Sequence, residues 1–165
     1  MRVTLRVGSR ARVASMPILA LRPSSERHEG SSGVPSSPGR MWTFWSAWVC
    51  NAIAAITRLK NGELAENEEG RILMGMVADE AFAVARAAGV NILLKDDPVD
   101  TCVAALRNAA ENQASMLQDV SSRRRTEIEA INGAIVERAE KLGVPTPANR
   151  MLTGLIKIIQ SRYLT

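Results

Sequence analysis

From residue 41 onward, apolar residues recur at intervals of three and four, and no segment shows the strict alternation of a β-strand. This spacing places apolar side chains on one face of an α-helix. Glycine, proline and asparagine interrupt the pattern and divide it into at least five helices with short connections. The sequence therefore predicts an all-α, bundle-like domain over residues 41–165.

Local start and stop signals set the predicted helix bounds. Asp97-Pro98 is a typical start, and Thr126 with Glu129 has the spacing of a capping box. The five helices are expected over about residues 41–59, ending at Asn61-Gly62, then over about 68–88, 97–117 and 126–142, and from Pro147 onward. The predicted apolar faces include Ile72, Leu73, Met76, Val77, Val84 and Ala88 on the second helix, Ile128, Ile131, Ile135, Ala139 and Leu142 on the fourth, and Leu152, Leu155, Ile156 and Ile159 on the fifth.

Residues 1–40 differ in composition from the rest of the chain. They hold seven of the 21 Lys and Arg residues but only two of the 17 Asp and Glu residues. The stretch SSERHEGSSGVPSSPGR is too rich in Ser, Gly and Pro to bury a core. A disordered or non-native tail is therefore predicted. An organelle transit peptide is the alternative for residues 1–22, which are rich in Arg and lack acidic residues.

Because the tail carries the excess positive charge, the predicted domain is nearly neutral. A nucleic-acid-binding domain carries its basic groups on the folded surface, so no nucleic-acid partner is predicted. No apolar run reaches the roughly 18 residues of a membrane span. Cys50 and Cys102 lie in apolar helical patterns without metal-ligand spacing, which indicates reduced core thiols in a cytoplasmic protein.

A polar stripe is predicted on the third helix, where Asn108, Asn112 and Ser115 follow the spacing of one helix face. Amides and a hydroxyl in line suit a polar, oxygen-rich small molecule. From spacing alone, however, a solvated stripe is the preferred interpretation.

Glu127 is predicted in the first turn of the fourth helix, where a negative charge is favourable. Its alternative role is to accept a hydrogen bond from a substrate hydroxyl. Asn132 and Asn149 have ordinary interpretations, hydrogen bonding inside a helix and an N-terminal cap respectively.

Three stretches of the sequence belong together: NAIAAITRLKNGEL, NQASMLQDVSSRRRTEIEAINGAI and LGVPTPANRML. Taken together, they resemble the C-terminal domain of ketopantoate reductase (2-dehydropantoate 2-reductase). The combination of SMLQD with TEI and ING at this spacing is the most specific part. The resemblance implies a helical domain that packs against an N-terminal Rossmann domain. That pair uses NADPH to reduce ketopantoate, a small 2-keto acid, to pantoate on the route to pantothenate and coenzyme A.

The resemblance also implies a site. Asn112, Ser115 and Glu127 match substrate-binding positions of the family, where Glu127 would hold the pantoate hydroxyl and the other two its carboxylate side. Asn51 matches a family asparagine on the first helix. The two walls of that site would be the SMLQD segment and the TEI turn.

Departures from the family pattern concern catalysis and the cofactor. The family lysine that acts as general acid is replaced by Thr43, and the asparagine midway to Asn51 is replaced by Ala47. Thr43 cannot supply a charged proton donor, so no catalytic residue is predicted. RVGSRARVAS does not fit the dinucleotide fingerprint, so this chain alone is not expected to bind NADPH.

The departures lead to two hypotheses about the chain. The first is a truncated or frame-shifted product of a reductase gene, catalytically silent by itself. The second is a stand-alone helical interaction module, which would form a homodimer or bind a full-length paralogue.

Overall fold

The computed structural model describes residues 49–90 and 97–164. The predicted tail and residues 41–48, 91–96 and 165 lie outside these ranges. Within them every regular element is a helix, which confirms the all-α prediction, and none is long and apolar enough to cross a membrane. Helix α1 covers residues 49–57. The others are α2 (Asn61–Glu66), α3 (Glu68–Ala87), α4 (Pro98–Arg107), α5 (Ser115–Ser121), a π-turn (Glu129–Gly133) continuing into α6 (Ala134–Leu142), and α7 (Pro147–Ser161).

Helix α3 occupies the centre and packs against α2, α4, α6 and α7. It begins as predicted, and its start is capped by Asn67, whose Oδ1 accepts a hydrogen bond from Gly70 N at 2.8 Å. The face predicted for it is partly wrong, because Ile72 and Met76 are half exposed. The buried face is rotated toward small residues that allow neighbouring helices to approach closely. Its buried members are Gly70, Met74, Val77, Ala78, Ala81, Val84 and Ala85.

The first helix does not end at Asn61-Gly62 as predicted. Helix α1 ends at residue 57, and Arg58 then adopts the left-handed region with φ of 62°. Asn61 and Gly62 instead open α2, an element the sequence reasoning missed. A Cβ on Gly62 would lie 2.7 Å from Ala110 Cβ, so glycine is required here for close packing rather than for a helix stop.

The predicted third helix is also divided in two. Helix α4 ends at Arg107, and α5 begins only at Ser115. The intervening turn bonds to the start of α2: Asn61 N donates to Asn112 O and Gly62 N to Ala110 O, both at 3.0 Å. These carbonyls satisfy the N–H groups of another helix, so the chain leaves its own helical path. The stripe expected on one helix is therefore wrong.

The fourth helix begins later than predicted, and its capping box is absent. The Thr126 N–H donates to Gln160 Oε1 at 2.6 Å, and the Glu129 carboxylate pairs with Lys157 at 2.9 Å. Neither group is available for the reciprocal bond of a capping box. The predicted stop is confirmed, since Gly143 has φ of 68°.

The main core joins α1, α2, α3, α4, α5, the π-turn and α7, and a smaller cluster joins α3 to α6. The face predicted for the fourth helix lies inside, but Leu155 of the fifth is exposed. The residues of the main core that have almost no solvent exposure include Ile53, Leu64, Met74, Met116, Leu117, Ile128 and Ile156.

Candidate functional site

Asn51 and Ser115 are in direct contact although 64 residues separate them. Asn51 lies in α1 and is buried, and its Nδ2 donates a hydrogen bond to Ser115 Oγ at 3.2 Å. Ser115 is the first residue of α5 and is exposed. Because the serine oxygen accepts from Asn51, the hydroxyl proton remains able to donate to a ligand. The pair therefore presents a hydroxyl donor with a fixed position at the surface.

Asn112 lies in the turn between α4 and α5, three residues before Ser115. Its backbone carbonyl accepts a hydrogen bond from Asn61 N, which holds the turn against α2. The side chain is exposed and carries both an amide donor and a carbonyl acceptor. Asn108 thus caps the end of α4, Asn112 lies in the connection that follows, and Ser115 opens α5. The three residues do not form one helical stripe.

Glu127 is exposed and lies between Thr126 and the π-turn, just before the first helical turn in which it was predicted. Its backbone carbonyl accepts hydrogen bonds from Ala130 N and Ile131 N, both at 3.0 Å. Within the described part of the chain, its carboxylate has neither a salt bridge nor a side-chain hydrogen bond. A carboxylate in this situation can accept a hydrogen bond from a ligand hydroxyl.

The connection from α5 to Glu127 is held on both sides. Arg124 Nε and Nη2 contact Asp119 Oδ1 at 3.0 and 2.9 Å, and Tyr163 Oη donates to Arg124 O at 3.1 Å. Burial, followed by the charge of Asp119, raises the pKa of Tyr163. At the other end, Gln160 accepts from Thr126 N. Helix α5 and the end of α7 together fix the segment that links the Ser115 side to Glu127.

Two buried amides, Asn132 in the π-turn and Asn149 in α7, form a network with the Glu80 carboxylate of α3. Asn132 Nδ2 donates to Asn149 Oδ1 at 3.0 Å, and Asn149 Nδ2 donates to Glu80 Oε2 at 2.8 Å and to Val77 O at 3.2 Å. Asn132 and Asn149 are both almost fully buried. The network ties the π-turn to α3 and α7.

Asn149 is not the N-terminal cap that the sequence predicted. Helix α7 begins at Pro147, and Asn149 lies inside its first turn. The cap comes from α3: the Glu80 carboxylate accepts from Ala148 N at 2.7 Å and from Asn149 N at 2.9 Å. The sequence did not reveal this role of Glu80, because the residue lies 68 and 69 positions before the two N–H groups that it caps. No local pattern marks a cap of this kind.

The two cysteines are buried on facing helices, as predicted for core thiols. Cys102 Sγ lies 3.6 Å from Met74 Sδ, and contact with Cys50, followed by burial, raises the pKa of the Cys102 thiol. Among the described residues, no three His, Cys, Asp or Glu side chains are grouped closely enough to hold a metal ion. Thr43 and Ala47 lie outside the described residues.

Comparison with known proteins assigns the chain to a family. A family model described as "Ketopantoate reductase PanE/ApbA C terminal" matches residues 38–160. The chain belongs to the ketopantoate reductase family. The match covers the SMLQD and TEI segments and the contact between Asn51 and Ser115.

Individual relatives agree with this assignment. A 2-dehydropantoate 2-reductase of Archaeoglobus fulgidus is 37% identical over 121 residues, which cover 71% of this chain and 40% of the relative. One from Aquifex aeolicus is 39% identical over 110 residues, covering 65% of this chain and 35% of the relative. The chain thus spans about two fifths of the length of the curated relatives it matches.

Solved structures share the fold. A PanE/ApbA family ketopantoate reductase from Ralstonia eutropha superposes with a TM-score of 0.65 at 35% identity, covering 77% of this chain and 42% of that one. A dimeric ketopantoate reductase from Staphylococcus aureus also gives 0.65, at 25% identity, covering 79% of this chain and 46% of that one. In this family, the chain corresponds to the helical C-terminal domain.

Proposed function

We propose that this chain is the substrate-binding domain of an NADPH-dependent 2-dehydropantoate 2-reductase, and that it is catalytically silent alone. The domain would extend over residues 41–165 and work in the cytoplasm, and residues 1–40 would contribute nothing to the site. Family membership supports the reaction class. The observation that carries the proposal is the Asn51–Ser115 hydrogen bond, because it joins two positions that resemble the family's substrate site.

Each side chain has a role that its contacts support. Ser115 Oγ–H and the Asn112 amide would donate to the carboxylate side of a small 2-keto acid, and Asn51 would orient the serine hydroxyl. Glu127, which has no charge partner among the described residues, would accept a hydrogen bond from the hydroxyl of the product. NADPH bound to a cofactor domain would supply the hydride. The residues of this chain bind and orient the substrate, and Thr43 provides no general acid.

A titration of the ¹⁵N-labelled full chain with pantoate tests binding. We expect resonance shifts at Ser115 and Glu127, and weaker binding by Ser115→Ala and Glu127→Gln. Ser121→Ala, at the exposed far end of α5, and Glu68→Gln, at the exposed start of α3, are the matched controls and should bind like the unchanged chain. A spectrum that pantoate leaves unchanged would overturn the proposal.

Catalytic silence is tested separately. With NADPH and ketopantoate added to the purified chain, absorbance at the reduced-nicotinamide band should stay constant, and NADPH fluorescence should not change. Measured reduction of ketopantoate would refute the silent part while leaving the reaction class intact.

A second candidate is a dimerisation module, which specific exposed residues favour. Ile72 and Met76 on α3 are 51% and 50% exposed. Helix α7 packs against α3 and exposes Met151, Leu155 and Ile158. Exposed apolar surface of this kind is typical of protein–protein contacts.

Sedimentation analysis of the full chain tests the second candidate. A dimer that Ile158→Glu dissociates, but that Ser161→Glu on the same helix does not, would support it. A strictly monomeric chain at high concentration would rule it out.

A further inference from the structure

The π-turn at Glu129–Gly133 is not required by its apolar residues. Gly133 N donates to Ile128 O at 2.9 Å, which is the five-residue spacing of a π-turn. Ile128, Ile131 and Ile135 are buried, and their spacing of three and four would place them on one face of a regular α-helix as well. Isolated π-turns are rare and occur often at functional sites. Another feature must therefore select the wider turn.

The turn also contains a buried amide, that of Asn132. Only 1% of the residue is exposed, and its Nδ2 donates to Asn149 Oδ1. Its own Oδ1 has no hydrogen-bond partner among the described residues. A buried amide with one acceptor unsatisfied costs stability that an apolar side chain of similar shape would not. A residue retained at such a cost is better explained by conformational specificity than by stability.

The register of this turn determines where Glu127 points. A π-turn adds one residue to a helical turn, so a change to the α register rotates the preceding residues by about 100° relative to the following helix. Glu127 lies immediately before the turn and is joined to it through its carbonyl. The following helix, α6, is fixed by the packing of Ile135 and Ala139 against α3. The turn itself is tied to α3 and α7 through Asn149 and Glu80.

We infer that Asn132 and Asn149 are positioning residues, whose buried amide pair selects the π register and thereby sets the direction of the Glu127 carboxylate. This inference rests on the proposed function for the role of Glu127, but the register itself can be measured without a ligand. Thr126 and Gln160 fix the entrance of the segment, and the amide pair fixes its interior.

The test compares Asn132→Leu with Ile131→Val in the isotopically labelled full chain. Leucine has nearly the shape of asparagine but cannot donate a hydrogen bond, whereas Ile131→Val removes a buried methylene from the same turn and leaves the amide pair intact. Through-bond couplings across hydrogen bonds report the acceptor of Gly133 N. The acceptor is Ile128 O in the π register and would be Glu129 O in the α register.

We expect Asn132→Leu to move the Gly133 coupling from Ile128 to Glu129 and to weaken pantoate binding at least tenfold. Ile131→Val should lower stability but retain the Ile128 coupling and the affinity. If Asn132→Leu does not fold, Asn132→Ser takes its place. The serine side chain is smaller than that of asparagine and too short to make the same hydrogen bond to Asn149.

An unchanged Gly133 coupling in the Asn132 variant would overturn the inference, and so would a changed coupling with unchanged affinity. If the unaltered chain does not bind pantoate, the proposed function fails. In that case, the Gly133 coupling still decides whether Asn132 sets the register.

Discussion

Replacing Glu80 by alanine should destabilise the domain through a helix that lies far away in sequence. The Glu80 carboxylate accepts three hydrogen bonds: from Ala148 N at 2.7 Å, from Asn149 N at 2.9 Å and from Asn149 Nδ2 at 2.8 Å. Thr146, at the N-cap position of α7, makes no side-chain capping bond. Glu80 is therefore the side chain that satisfies the first N–H groups of this helix.

The expected cost follows from these contacts. Loss of a helix cap costs about 1 kcal/mol, and loss of a negative charge at a helix N-terminus costs about 0.3–1 kcal/mol. Leaving a partly buried N–H without a partner adds about 1 kcal/mol or more. Glu80→Ala should thus lower the free energy of unfolding by about 2–3 kcal/mol. Glu80→Gln, which retains one acceptor oxygen, should lower it by about 1 kcal/mol.

Urea denaturation followed by circular dichroism measures these differences. Asp79→Ala is the matched control: it adds the same alanine to α3 at an exposed neighbouring position, so it shares any gain in helix propensity. It should change the free energy of unfolding by less than about 0.5 kcal/mol. Equal effects of Glu80→Ala and Asp79→Ala would refute the capping argument.

Three further outcomes are expected. Gly62→Ala should destabilise the chain by about 1–3 kcal/mol, because its Cβ would lie 2.7 Å from Ala110 Cβ. Gly154→Ala, where the added Cβ meets nothing within 4 Å, should instead stabilise the chain by up to about 1 kcal/mol. If both substitutions lowered the free energy of unfolding in urea denaturation, the packing argument would be contradicted. Arg58→Gly should raise the melting temperature, because glycine adopts the φ of 62° without the roughly 1 kcal/mol cost that a residue with a side chain has in the left-handed region. Arg58→Ala should not raise it. Equal melting temperatures of the two variants would argue against strain at this position. Lys157 lowers the pKa of Glu129 below its ordinary value of 4.5, so their pair stabilises the fold above that pH and the contribution is lost as the pH falls through the lowered pKa. Glu129→Gln should therefore reduce the stability difference between about pH 6 and about pH 3, and an unchanged pH profile would show that the pair contributes nothing.

Local signals predicted the parts of the fold that depend on local interactions. Helix α3 begins and ends within a residue of its prediction, and the stop at Gly143 and the start at Pro147 are confirmed. The end of α4 was missed because its following turn bonds to α2, which lies about 50 residues earlier. The exposure of Met76 was missed because spacing identifies an apolar stripe but does not show how small residues rotate its buried face.

The site could be predicted only by resemblance. Spacing alone put Asn108 beside Ser115 on one helix, and the break after α4 separates them. The contact of Asn51 with Ser115 depends on tertiary packing that no local pattern reports. The pairing of Asn132 with Asn149 was invisible for the same reason, although both residues were noticed as isolated amides.

The contact between Asn51 and Ser115 has a consequence for folding equilibria. Because the two residues lie 64 positions apart, their hydrogen bond exists only when α1 is docked on the rest of the domain. A ligand that needs this pair would bind only molecules in which the docking is complete, so ligand binding would suppress opening of the whole domain. At a ligand concentration of about 100 times Kd, the free energy of opening would rise by about 2.7 kcal/mol. Amide exchange should then slow in α1 as well as in α5, which would show that a ligand bound at one site stabilises the whole domain against opening.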